Sequence, residues 1–362
     1  MNVRSMFALT AGLGLALAAC GGNETAGGAD DSAATARDGA ATLTGAGATF
    51  PYPIYSRWFS DYYQLKGVRI NYGSLGSGAG IRQLSEQTVD FGATDSPMTD
   101  QELANAKGGP VLHVPTVIGA VVVTYNVPGV SQPLQLTGDV IADIFLGRIA
   151  RWNDARIAAT NPGVALPGDD ILVVHRTDAS GTSFIFTDYL SSVSQQWANG
   201  PGRGKQVNWP VGLGAKGNEG VSAQVKQTPG AVGYTELAYA KQLRLAMARV
   251  RSHDGTFVEP TIENIQAAAA GALESLPDST DFRVSIVNAV GAQAYPISSL
   301  TWILLYRNQP DATKAQPLLD FLRWALTEGD QQAAALDYAP LPGPVVQRVL
   351  QRLDSVQVGG AR

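Results

Sequence analysis

Ile171-Leu172-Val173-Val174-His175-Arg176 runs directly into Thr177-Asp178-Ala179-Ser180-Gly181-Thr182-Ser183-Phe184. The first part is an apolar, β-branched run that suits a buried strand. The second is a hydroxyl and glycine turn that suits the opening of a helix. One arginine at the strand end therefore stands beside a helix N-terminus. The unpaired N–H groups and partial positive charge there favour an anion. Ser180 and Thr182 add hydroxyl donors, and Asp178, two residues beyond Arg176, is placed to hold the guanidinium fork.

Working outward, strand-like and helix-like patterns alternate from residue 42 to the end. Helices are expected at Pro51–Leu65, from Ile81, at Asp139–Leu146, Asn153–Thr160, Thr261–Ala270, Pro317–Thr327 and Pro344–Ser355. Strands are expected at Val68–Tyr72, Val89–Ala93, Val117–Tyr125, Ala231–Tyr234, Leu243–Val250 and Ile297–Tyr306. Alternation of this kind implies mixed sheets covered by helices, with ligands at the carboxyl ends of strands.

Three further stretches fall at such ends. Leu43-Thr44-Gly45-Ala46-Gly47-Ala48-Thr49-Phe50-Pro51 places Thr49 and Phe50 at a helix mouth, with Pro51 in a position that needs no N–H. Gly76-Ser77-Gly78-Ala79-Gly80 can wrap an anion with backbone amides, yet lacks the Gly-Lys-Ser/Thr of a Walker loop. Asp95 follows a strand, where a carboxylate next to an anion is repulsive unless the ligand carries a proton. A protonated phosphate oxygen can donate to Asp95; sulfate at neutral pH has no proton to give.

Composition narrows the partners. Charged residues make up 16% of the chain, the net charge is −5, and there is no run of Lys or Arg. Nucleic acid and broad electrostatic membrane binding are therefore excluded, and anion recognition must come from local dipoles. Three isolated histidines and one cysteine leave no metal cluster and no internal disulfide, so no metal is expected. Gly212-Leu213-Gly214-Ala215-Lys216-Gly217 matches G-x-G-x-x-G but lacks the ribose-binding acid and is read as a loop. No G-x-S-x-G elbow is present, and no histidine base is identifiable for Ser180, so no catalytic residue is assigned.

Taken in order, these segments resemble the substrate-binding protein of bacterial high-affinity phosphate ABC transporters, the PstS family. The resemblance rests on Thr44–Pro51, Thr88–Asp95, Val114–Gly119, Asp178–Phe184, Trp209–Asn218, Pro229–Tyr234 and Leu336–Leu341 with Pro342, and covers nearly the whole mature chain. It implies an α/β, two-lobed type II periplasmic binding protein fold, with mixed central sheets flanked by helices and two hinge crossings. The crossings are expected near Val117–Gly119 and Gly291–Pro296. Residues 42–118 plus 293–362 would form lobe I and 119–292 lobe II, in line with the size at which single cores stop growing, about 250–300 residues. The resemblance further implies phosphate contacts from Thr49, Phe50 (mainly its N–H), Ser77, Asp95, Arg176, Ser180, Gly181 and Thr182, with Asp178 orienting Arg176. Gly78, Ala79 and His175 depart slightly from the family pattern.

The N-terminus carries a separate resemblance. Residues 1–19 read as a signal peptide, and Leu17-Ala18-Ala19-Cys20 resembles a bacterial lipobox, which implies lipid attachment at Cys20. Residues 20–41, rich in Gly, Ala and Thr, read as a flexible tether. The expected molecule is thus an extracytoplasmic, lipid-anchored monomer that needs no cofactor, captures inorganic phosphate and passes it to permease subunits. The alternative is an extracytoplasmic phosphatase or phosphoester hydrolase built on the same anion cradle.

Overall fold

The computed structural model describes residues 41–274 and 276–359. The signal peptide, Cys20 and nearly all of the tether lie outside the described residues. β1 (Thr42–Gly47) leads into α1 (Tyr52–Lys66), whose aromatic stripe of Tyr55, Trp58, Phe59 and Tyr62 is buried. Gly67, left-handed at φ 74°, ends α1 by returning its N–H to Tyr63 O. β2 (Arg69–Ser74), α2 (Ser77–Ser85), β3 (Phe91–Thr94) and α3 (Asp100–Ala104) follow, the last opened by a Thr99/Glu102 capping box.

β4 (Val111–Tyr125) is buried along all fifteen residues. The apolar pattern predicts a strand only from Val117, because Pro115 breaks it. The structure accommodates Pro115 at a bulge: Thr301 faces Val117 and Trp302 faces Pro115, which leaves Thr116 as the extra residue. Then come β5 (Gln135–Leu136), α4 (Gly138–Phe145), α5 (Ala155–Thr160), β6 (Leu172–Arg176), α6 (Gly181–Val193) and α7 (Gln195–Asn199).

Gly212–Gly217, expected to be a loop, instead contributes β7 (Leu213–Ala215) and the first residue of α8 (Gly217–Gln227). β8 (Ala231–Glu236) and α9 (Leu237–Gln242) follow. The strand expected over Leu243–Val250 is broken, because Arg244 turns at φ 52°. What remains is β9 (Ala246–Met247) and β10 (Arg249–Arg251), with β11 (Phe257–Val258) beyond. α10 (Ile262–Glu274) starts where Thr261 accepts from Asn264 N, as its N-cap reading requires. β12 (Ser298–Tyr306) precedes α11 (Ala312–Thr327), which begins five residues before Pro317 because Asp311 caps it. α12 (Gly343–Asp354) closes the series.

The strands assemble in the order β2-β1-β3-β12-β4-β8-β6-β7, with β9 also on β4. Parallel pairs (β1 with β2 and β3; β6 with β7 and β8) flank antiparallel β12 and β4. β4 changes partner along its length: residues 111–120 pair with β12, and 121–125 with β8. One strand thus belongs to two half-sheets. The carboxyl ends of β1, β3 and β6 converge where these halves meet. Among the described residues no helix is long and apolar enough to cross a membrane.

Candidate functional site

The β1–α1 turn shows how backbone is made into a binding surface. Gly47 sits at φ 146° with its α-carbon against the Ala93 backbone, where a Cβ would lie 2.0 Å from Ala93 O. Beyond it, three tyrosines hold three successive carbonyls: Tyr72 Oη donates to Ala48 O (2.8 Å), Tyr239 Oη to Thr49 O (2.6 Å), and Tyr338 Oη lies 2.7 Å from Phe50 O. Burial holds all three phenols well above their ordinary pKa, so they stay neutral donors. With the carbonyls tied back, the N–H groups of Thr49 and Phe50 have no protein acceptor among the described residues. The Phe50 ring is itself in the core, edge-on to Tyr338, so this residue offers the site only its backbone.

Ser77 opens α2 and is fully buried. Its Oγ accepts from Asp95 N and Gly181 N, both at 3.1 Å, and lies 3.3 Å from Asp95 Oδ2. Asp95 Oδ1 accepts from Thr301 Oγ1 at 2.7 Å. The bulge at Thr116 explains this partner, since Thr301 sits at the register shift and its carbonyl accepts from Thr116 Oγ1. Burial pushes the Asp95 carboxyl up to about 7, although Thr301, Arg176 and Ser77 pull it down.

Arg176 is buried at the end of β6, 3% exposed, and paired in the fork geometry its spacing predicts. Nε donates to Asp178 Oδ1 at 2.8 Å and Nη2 to Asp178 Oδ2 at 2.5 Å. Asp178 Oδ1 also accepts from Gly217 N, and its carboxyl is held below the usual range against the effect of its own burial. The remaining guanidinium nitrogen, Nη1, is buried with no partner among the described residues. Ser180 caps α6 by accepting from Ser183 N (3.0 Å), which leaves its hydroxyl hydrogen free. His175, the departure next to Arg176, stacks flat on Trp209 at 5.0 Å.

Asn218, in the first turn of α8 and at the end of the Trp209–Asn218 segment that carries the resemblance, completes the site and was not among the expected ligand residues. Its Nδ2 donates to Thr49 Oγ1 (2.8 Å) and to Thr182 Oγ1 (3.1 Å). Its Oδ1 accepts from Glu236 N, which fixes which end of the amide faces the hydroxyls. Both threonines receive a hydrogen bond and so keep their own hydrogens to give. All the residues expected from sequence are therefore brought together. The result is a cluster of amide, hydroxyl and guanidinium donors around one carboxylate. Among the described residues no group of three or more His, Cys, Asp or Glu could hold a metal ion.

A model of the PBP superfamily domain matches residues 32–328. The phosphate-binding protein PstS of Pasteurella multocida is 45% identical over 309 residues, 84% of this chain and 88% of that one. The chain belongs to the PstS family of phosphate-binding proteins. The PstS of Methanocaldococcus jannaschii is 41% identical, covering 86% of this chain and 85% of its own. Among solved structures, a phosphate binding protein from Stenotrophomonas maltophilia aligns with a TM-score of 0.66 at 21% identity, over 86% of this chain and 94% of that one. The PstS resemblance read from the motifs is borne out, as is the α/β binding-protein fold. PstS proteins are named for binding, and this chain is not an enzyme; the hydrolase alternative falls with that.

Proposed function

We propose that this chain captures inorganic phosphate between its two lobes and delivers it to the permease subunits of an ABC transporter. Lobe I comprises residues 42–118 and 293–362, and lobe II residues 119–292. Thr49, Phe50, Ser77 and Asp95 meet the ligand from the first lobe, and Arg176, Ser180, Gly181 and Thr182 from the second. Asp178 orients the arginine, and no cofactor is needed.

The observation that carries this reading is the unpartnered guanidinium nitrogen in this cluster, Arg176 Nη1. It is buried in the same cluster as a carboxyl, that of Asp95, poised to share a proton. A buried donor without an acceptor is costly, and a tetrahedral oxyanion supplies the acceptor. The Asp95 carboxyl then restricts the guest to one that brings hydrogen. Cys20 anchors the protein by its lipid, residues 20–41 form the tether, and the protein works outside the cytoplasmic membrane as a monomer.

The test is calorimetric titration of phosphate-stripped protein with phosphate, arsenate and sulfate at pH 8. Tight binding of the first two and none of sulfate is expected; equal binding of sulfate would end the selectivity argument. A chromogenic phosphate ester should give no turnover. For the anchor, Cys20→Ser should abolish incorporation of labelled palmitate and release the protein from membranes. Persistent labelling of that variant would remove Cys20 as the lipid site.

A further inference from the structure

Glu236 lies at the end of β8, fully buried, yet it contacts no cation and none of the expected ligand groups directly. Its Oε2 accepts from Ala238 N (2.9 Å), capping α9, and stands 3.1 Å from Tyr338 Oη; Oε1 is buried without a partner. Tyr338 Oη is also 2.7 Å from Phe50 O. A phenol has one hydrogen. If Tyr338 gave it to Glu236, Phe50 O would face an oxygen lone pair at 2.7 Å, and the backbone of the ligand turn would lose its restraint. If Tyr338 gives it to Phe50 O, the shorter contact, then Glu236 must bring the hydrogen to the second contact.

We propose that Glu236 is a protonated carboxylic acid that positions the Thr49–Phe50 turn, donating to Tyr338 so that Tyr338 can donate to Phe50 O. The backbone N–H of the same residue orients Asn218, whose amide serves both ligand-facing threonine hydroxyls. Glu236 thereby couples the end of β8 to donors from both lobes without touching the ligand. The surroundings favour the neutral acid. Burial raises its pKa well above the carboxylate range, and Asp337 adds to that. The other groups facing it are the phenols of Tyr239 and Tyr338, while Lys241, on α9, is engaged by Asp337. The positioning role rests on the phosphate reading of the turn; the protonation does not.

Infrared spectroscopy of the phosphate-free protein tests the protonation. At pH 8 the wild type should show the carbonyl stretch of a protonated carboxylic acid that Glu236→Gln removes and Asp95→Asn leaves in place. A spectrum unchanged by Glu236→Gln overturns the proposal. Phosphate titration tests the positioning. Glu236→Leu and Tyr338→Phe should each weaken binding by about tenfold, the worth of one buried hydrogen bond, whereas Glu236→Gln, whose amide can donate to Tyr338 as the protonated acid does, should bind nearly as the wild type. Glu236→Leu combined with Tyr338→Phe should be no weaker than either alone, because both cut the same relay. Wild-type affinity should fall at alkaline pH together with the infrared band, and Glu236→Gln should show no such fall. Additive losses with an unchanged pH profile would reduce Glu236 to a packing residue and overturn the positioning role. If no variant and no wild type bound phosphate while the band persisted, the ligand assignment would fail and the protonation would stand.

Discussion

Asp95 concentrates the chemistry of the cleft. With its carboxyl near 7, it is ionised above that pH and accepts a hydrogen from phosphate; below it, the carboxyl carries its own. A protonated Asp95 is a donor and no longer repels a fully ionised oxyanion. Sulfate binding, absent at pH 8, should therefore emerge as the pH falls below about 7 and stay absent in titrations above it. The same group gives the phosphate-free protein a pH dependence. Its folded pKa lies above the 3.8 of a free aspartate, so the folded chain holds a proton that the unfolded chain releases. Stability from this source is present below 3.8 and is lost as the pH rises through about 7. Thermal melts of Asp95→Asn should lack that slope.

Asn218→Ala leaves Glu236 N and two hydroxyls short of a partner. It should cost about 1–3 kcal/mol of stability in denaturant melts, together with a loss of phosphate affinity. The expected ligand residues were legible because each sits in a local pattern, hydroxyl and glycine after a strand, or Arg and Asp two apart. Asn218, Thr301 and the three tyrosines were not legible. Their partners lie 24 to 288 residues away, and single residue types at such separations carry no pattern.

Among the elements, the openings of α2 and α6 meet so closely that they leave no room for a side chain. Gly78 N donates to Ala179 O, and a Cβ on Gly78 would lie 2.4 Å from Ala179 Cβ. A Cβ on Gly181, the first residue of α6, would lie 2.4 Å from Ser77 Oγ and 2.6 Å from Asp95 Cβ. Overpacking of this kind costs about 1–3 kcal/mol, so Gly181→Ala should weaken phosphate binding by about ten- to a hundredfold. The melting temperature of the phosphate-free protein should barely move, because the clash exists only across the closed cleft. An unchanged affinity would show that the mouths do not approach so closely when loaded. Element types followed well from periodicity. The misjudged ones each have a local cause: Pro115 absorbed by a bulge, Arg244 reversing the chain, Asp311 starting α11 ahead of a proline, and a glycine motif that became β7 and a helix start.

At the scale of the molecule, attraction is short-ranged. The net charge is −5, and the cationic partner in the cleft is already paired with the Asp178 carboxylate. The long-range field therefore repels phosphate, in contrast to proteins that steer anions with a basic surface. Stopped-flow association should accelerate modestly as sodium chloride is added, since screening removes the repulsion. A rate that falls with salt would reveal a positive funnel. Ion pairs such as Lys205 with Glu102 and Lys241 with Asp337 join distant parts of the chain, but they are partly exposed and worth at most about 1 kcal/mol each.

The position of β12 has a consequence for biogenesis. This strand, contributed by residues 298–306, stands between β3 and the first two-thirds of β4, so the earlier strands lack their central neighbour until synthesis enters the last fifth of the chain. A nascent polypeptide stopped short of residue 298 would present open hydrogen-bonding edges and an uncovered valine-rich strand, a state prone to misassociation. C-terminal truncation into β12 should therefore yield insoluble material rather than a working first lobe.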